Sequence, residues 1–258
     1  MSFPNTIQGA YAASWDTGSI KLYPLGQRME CPNGRIFRYA EMGSTAGVAS
    51  RLYQSEVPAS NWKDTLITTA LTAGSTTKVS YTLGATAQEK DDIKEGYVLL
   101  TELNDLGEVH RVAGNVAAVA SGVGTLFLYP GDVFKQTVTV DTGNVITTIK
   151  NPYKDIILTP ASAAAATAYQ VGVPQVAIAG DAYGWVQTHG VCSCDTEGTV
   201  RIGYEARASE DTTDGEGALA DMVYGEADDA DIGTIARVME VAPTTDFGTY
   251  FLTIEGIG

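Results

Sequence analysis

The chain has 258 residues, 44% of them apolar and 18% charged, which is enough apolar material for one large β body or two smaller ones and too much for a disordered chain. Thirty-one Asp and Glu against 16 Lys and Arg give a net charge of −15 with no basic run, so direct nucleic-acid binding and docking on an anionic membrane are disfavoured. No window approaches the length of apolar chain a membrane helix needs, and MSFPNTIQGA lacks the basic-then-apolar order of a secretory signal, so the product is expected to be made in a cytoplasm.

Residues 1–33 read as an extended N-terminal arm. Phe3, Tyr11, Trp15 and Tyr23 follow neither a helical nor a strand period, and Pro and Gly punctuate the stretch. Such a segment cannot bury its own aromatics. It is expected to lie on the body of the same subunit or on a neighbour, which makes these four aromatics the candidate subunit-interface residues.

A turn at Asn33-Gly34 opens a strand over Arg35 to Ala40, broken by Gly43 to Gly47. Arg51 to Trp62 reads as a loop with a short helical turn. Lys78 to Thr82 is a strand with Val79 and Tyr81 on one face. Thr86 to Lys94 (TAQEKDDIK) is the best short helix, charged and exposed. Gly96 to Leu103 and Glu108 to Val112 form a hairpin around Asn104-Asp105-Leu106-Gly107, and Thr125 to Tyr129 is an apolar strand. A second hairpin is expected from Thr137 to Val140 and Val145 to Ile149, followed by a short strand at Asp155 to Leu158. Ala161 to Ala168 is open between loop and short helix.

The last third reads as strands at Gln175 to Ala179, Tyr183 to Val191, Thr199 to Ala206, Thr234 to Ala242 and Thr249 to Ile254. Val200, Ile202 and Tyr204 share a face, and the fourth of these strands alternates in a way that suits burial on both sides. Short strands at such intervals predict an all-β, mainly antiparallel sandwich or barrel with one or two short helices. The expected organisation is the arm at 1–33, a β-rich region at 34–160 and a C-terminal β-rich region at 161–258 packed with the preceding one as a single body. No fixed-period repeat stands out, which disfavours a propeller or solenoid.

No nucleophile, phosphate-loop or zinc-protease motif appears, so no catalytic, cofactor-binding or metal residue is assigned. His110 and His189, both on strands, read as polar surface residues. HGVCSC has the wrong spacing for structural zinc, and Cys31, Cys192 and Cys194 read as reduced thiols. The acids at Glu210-Asp211, Asp214, Glu216 and at Glu226, Asp228, Asp229, Asp231 do not match a calcium loop and read as solvated. Tyr183 and Trp185 share a strand face, and filling a core is favoured there over stacking on a sugar.

In order along the chain, NGRIFRYAEMG, GVASRLYQSEVP, AQEKDDIKEGYVLL, GEVHRVAGN, NPYKDIILTP and AGDAYGWVQTHGVC resemble a group of tailed-phage virion proteins, the small acidic head decoration or cement proteins. The similarity runs from about Arg28 to the C-terminus. It implies a structural protein without enzyme activity or cofactor, on the exterior of a capsid. Its partners would be the major capsid protein and copies of itself, as a homotrimer. Alternatives are another phage structural subunit (major capsid, tail tube or adaptor) and a carbohydrate-binding β-domain. A shell protein usually carries a long helix, and none is read here.

Overall fold

The computed structural model describes residues 4–101, 107–161, 167–210, 215–222, 233–241 and 246–255. Among these the strands are β1 (Thr6–Gln8), β2 (Arg28–Glu30), β3 (Ile36–Glu41), β4 (Tyr53–Gln54), β5 (Thr65–Leu66), β6 (Lys78–Thr82), β7 (Tyr97–Leu100), β8 (Val109–Val116), β9 (Val123–Leu128), β10 (Val145–Ile149), β11 (Ile157–Leu158), β12 (Gln170–Pro174), β13 (Tyr183–Asp195), β14 (Glu205–Ala208), β15 (Leu219–Asp221), β16 (Ala236–Glu240) and β17 (Phe247–Thr253). Two 3-10 turns, Ala13–Trp15 and Ser60–Trp62, are the helical elements among the described residues. The fold is all-β, as the alternating pattern requires.

The chain forms two compact units, Met1–Val57 with Pro152–Gly258, and Pro58–Asn151. Neither border coincides with breaks at 33/34 and 160/161. The middle stretch closes a barrel of its own before the chain returns to the first unit.

The middle unit is a six-stranded sheet in the order β5-β10-β7-β8-β9-β6. Ile67, next to β5, bridges to Tyr81 on β6, and the Thr68 N–H donates to the Ser80 carbonyl at 2.8 Å, so the two edges meet. Closure removes the free edges that would otherwise offer unpaired backbone groups. Strict alternation fills the barrel: on β6, Val79 and Tyr81 are fully buried while Lys78 and Thr82 face out. Ile67, Leu71, Ile93, Val112, Leu126 and Phe134 complete the interior.

The first unit contains a smaller circuit. β3 pairs with β13, β13 with β12, β12 with β4 and β4 with β11, and Met42 beyond β3 bridges in parallel to Ile156. Ala40, Met42, Tyr53, Val171, Ile178 and Val186 fill it. β13 runs on for 13 residues and carries a second sheet, β17-β16-β14-β15, over a core that includes Cys192, Cys194, Leu219, Tyr250 and Leu252.

Each unit is built around the same local device. Gly47 and Ile178 exchange backbone hydrogen bonds at 2.7 and 3.2 Å, and Gln88 and Ala118 do so at 2.9 and 2.8 Å. Three residues after each of these four positions stands a non-glycine residue in the left-handed region: Ser50 (φ 57°), Asp181 (φ 55°), Asp91 (φ 62°) and Ser121 (φ 57°). The equivalence extends outward, because the Met42 N–H donates to the Ala182 carbonyl as the Leu83 N–H does to that of Gly122. All four sites share an A-x-x-x-S/D pentapeptide: AGVAS, AQEKD, AAVAS and AIAGD. Ser and Asp suit the last position because short polar side chains tolerate left-handed backbone.

Several expected elements differ. Thr86 to Lys94 is not a helix. Gln88 is held by Ala118, Asp91 turns left-handed, and the Ile93 N–H donates to the Asn115 side chain, so long-range bonds replace the helical ladder. The hairpin around 141–144 is absent: Val138 bridges to Leu71, while β10 pairs with β5 and β7. Gln175 to Ala179 follows β12 as bent backbone with a single bridge, from Ile178 to Gly47, in place of the expected strand. Thr199 to Tyr204 precedes β14 as a turn, so Val200 is buried while Ile202 and Tyr204 are exposed. β16 buries one face only. Asn104 to Leu106 and most of Ala161 to Ala168 lie outside the described residues.

Candidate interaction surfaces

The N-terminal segment lies on its own subunit. β1 pairs in parallel with β2, and β2 pairs with β3. Leu25, Met29 and Cys31 are buried with Phe37, Tyr39 and Trp185. Tyr23 belongs to the same cluster, its ring 5.2 Å from Tyr39 and 5.3 Å from Trp185. The Leu22 N–H donates to the Tyr39 hydroxyl at 3.1 Å, and Gly18 pairs with Tyr183. The backbone is thus fixed, yet Tyr11 (59%), Trp15 (61%), Ile20 (73%) and Leu22 (63%) remain exposed. Of the four candidate interface aromatics, Tyr11 and Trp15 face outward, Tyr23 is partly buried in the subunit's own core and Phe3 lies outside the described residues. Ile20 and Leu22 join the surface. No local pattern in the sequence marks them, because this stretch follows neither a strand nor a helical period.

Trp185 is fully enclosed and cannot stack on a sugar. Tyr183 stacks on Tyr39 at 5.9 Å and donates its hydroxyl proton to Glu41 at 3.0 Å. Burial raises the Glu41 carboxyl above its usual range, against the pull of that hydrogen bond.

A cavity of about 350 Å³ in the first unit is lined by residues that include Gly43, Val48, Tyr53, Ile157, Leu158 and Glu216. The Tyr53 hydroxyl accepts the Val48 N–H at 2.7 Å, and burial raises its pKa. Its lining is mostly apolar.

His110 is buried, which corrects its reading as a surface residue. Nδ1 lies 2.7 Å from Asp132 and Nε2 3.0 Å from Glu108, and the ring packs 4.4 Å from that of Phe134. Burial acts to raise the Asp132 carboxyl, but the bonds from His110 and the Arg111 N–H outweigh it, leaving the pKa below the ordinary value. The arrangement ties β8 to the 129–135 loop. His189 packs edge-on against Phe251 at 5.1 Å.

The three cysteines are free and buried. Cys192 and Cys194 share the core beneath β13, where burial pushes the Cys192 thiol up to about 12 and that of Cys194 well above the usual value. Cys31 sits in a different cluster. Thiols in such surroundings are poor nucleophiles and poor metal ligands. Glu210 and Glu216 are described, whereas Asp211, Asp214, Glu226, Asp228, Asp229 and Asp231 lie outside the described residues.

No protein-family model matches the chain, and no curated protein matches it. Among solved structures, the head fiber gp8.5 N base of bacteriophage phi29 is similar at 8% identity, covering 70% of this chain and 98% of its own, with a TM-score of 0.25.

Proposed function

We propose that this chain is a structural virion protein that decorates and stabilises a tailed-phage capsid through protein–protein contacts, without catalysis. The observation that carries the reading is the set of exposed side chains on a pinned backbone: Tyr11, Trp15, Ile20 and Leu22 stand outward from a segment that their own subunit holds in place. Large aromatics already ordered before contact lose little entropy on docking, which is the property of an anchor. Two closed or nearly closed barrels supply a stiff support. The ordered resemblance of the motifs from NGRIFRYAEMG to AGDAYGWVQTHGVC to head decoration proteins points the same way. In this role the protein lies on the capsid exterior and meets the major capsid protein.

The test compares particles assembled with and without the protein. Its loss is expected to remove surface relief seen by electron microscopy and to lower the temperature at which DNA is released. Particles of unchanged relief and heat resistance would falsify the proposal. Counting copies per particle separates a decoration protein from a tail or adaptor subunit.

A further inference from the structure

The outer face of the six-stranded barrel is unusually apolar. Tyr97, Val109, Val116, Val123 and Phe127 are 37–62% exposed on three adjacent strands. In the register Leu99 stands opposite Val109, Tyr97 opposite Arg111, Val116 opposite Thr125, and Phe127 between Gly114 and Lys78, so these apolar side chains are interspersed with Arg111, Thr125 and Lys78. The charged side chains on these strand positions are Lys78 and Arg111, both exposed, and the outward positions carry no carboxylate in a chain whose net charge is −15. Neither cation has an ion-pair partner among the described residues. Arg111 lies over the Tyr129 ring at 5.4 Å.

The other unit carries a face of opposite sign. On β13, β17 and β16 the outward residues include Val191 (45%), Phe247 (56%) and Met239 (46%). Beside them are the exposed carboxylates of Glu240 and Asp246. Glu240 accepts the Thr249 hydroxyl at 3.0 Å and Asp246 the Phe247 N–H at 2.8 Å, and neither is ion-paired among the described residues. Arg237 on this face is already paired with Glu205 at 3.2 Å.

We propose that copies of this chain associate head to tail, the outer barrel face of one copy seating on the β13–β17–β16 face of the next. The side chains named on both faces are exposed. Each has an apolar centre with unpaired charge, and the charges are of opposite sign. Like-on-like pairing would oppose cation to cation or carboxylate to carboxylate. Pairing across the two faces matches them, and another copy of this chain is the surface that supplies the match. Apolar burial provides the affinity, while the exposed ion pairs select orientation and add salt dependence. Such a heterologous contact repeats from copy to copy and closes into a ring or continues as a filament. The contact stands independently of the virion role, which particle content tests.

Sedimentation velocity of the full chain over rising concentration provides the test. Wild type is expected to exceed the monomer mass of 27.2 kDa and to associate more weakly as salt rises. Lys78→Glu with Arg111→Glu is expected to remain monomeric, as is Glu240→Lys with Asp246→Lys. An equimolar mixture of these two variants is expected to associate again, because each supplies the face the other lacks. Phe127→Ser is expected to weaken association at least about 10-fold with an unchanged melting temperature. A wild type that stays monomeric at the highest concentrations overturns the proposal and leaves the faces to an unrelated protein or a lipid surface. So does association that ignores both charge reversals, or a mixture that fails to recover it.

Discussion

Glu255 gathers side chains from three strands. It accepts from Arg28 of β2 at 3.2 Å, from Arg38 of β3 at 3.1 Å and from the Thr188 hydroxyl of β13 at 2.9 Å. Burial raises its carboxyl, but the Arg38 bond and charge outweigh burial and the pKa lies below the usual carboxylate value. A depressed folded-state pKa means that the stabilisation is complete above the unfolded value of about 4.3 and fades as pH falls through the folded one. Glu255→Gln is therefore expected to cost about 1–2 kcal/mol at neutral pH and less at pH 3, below the unfolded value. Denaturant titrations at both pH values measure this. An equal loss at both would show that the charge is not the source. The sequence gives little warning of this group, because its arginine partners are 227 and 217 residues away. His110 was hidden for the same reason: alternation shows which way β8 faces, but its partner Asp132 sits 22 residues on, beyond an intervening strand.

At the scale of elements, strands whose pattern alternates cleanly can be read directly. Lys78–Thr82 has the bounds that Val79 and Tyr81 suggest, and the hairpin partners β7 and β8 align as the apolar residues require. Readings fail where local propensity competes with distant pairing. Glu, Lys and Gln favour a helix at 86–94, yet one short helix cannot offset the reciprocal bonds between Gln88 and Ala118. The four pentapeptides escape notice because they share only Ala and a Ser or Asp, at unequal intervals. Their common role gives a prediction. Replacing Ser50, Asp91, Ser121 or Asp181 by Val, which is β-branched and ill suited to positive φ, is expected to cost about 1–3 kcal/mol at each site. Asn or Gly is expected to be close to neutral. Thermal melts of the twelve variants measure this, and Val tolerated at all four sites would refute the shared constraint.

At the scale of the whole molecule, the chain leaves the first unit at Val57 and re-enters it at Pro152, so the middle unit is a continuous insertion and the first is discontinuous. The insertion has its own core, from Trp62 and Leu71 through Tyr81, Ile93 and Phe134 to Ile146. Its last residue is held internally, since the Asn151 side chain donates to the Glu95 carbonyl at 3.0 Å. A barrel of about 90 residues with joined edges is large enough to fold alone. Residues 58–151 expressed separately are expected to give a dispersed amide spectrum and a single cooperative melt. The first unit must bring together segments separated by that insertion, so its loop-closure entropy rises with the inserted length if the insertion is unfolded. Folding of the barrel first shortens the effective loop, and mutations that unfold it, such as Ile93→Asp, are expected to slow formation of the first unit even though they lie outside it. Refolding kinetics followed on Trp185, with Trp15 and Trp62 replaced by Phe, measure that rate. An Ile93→Asp chain that forms the first unit as fast as its parent would show that the two fold without such coupling.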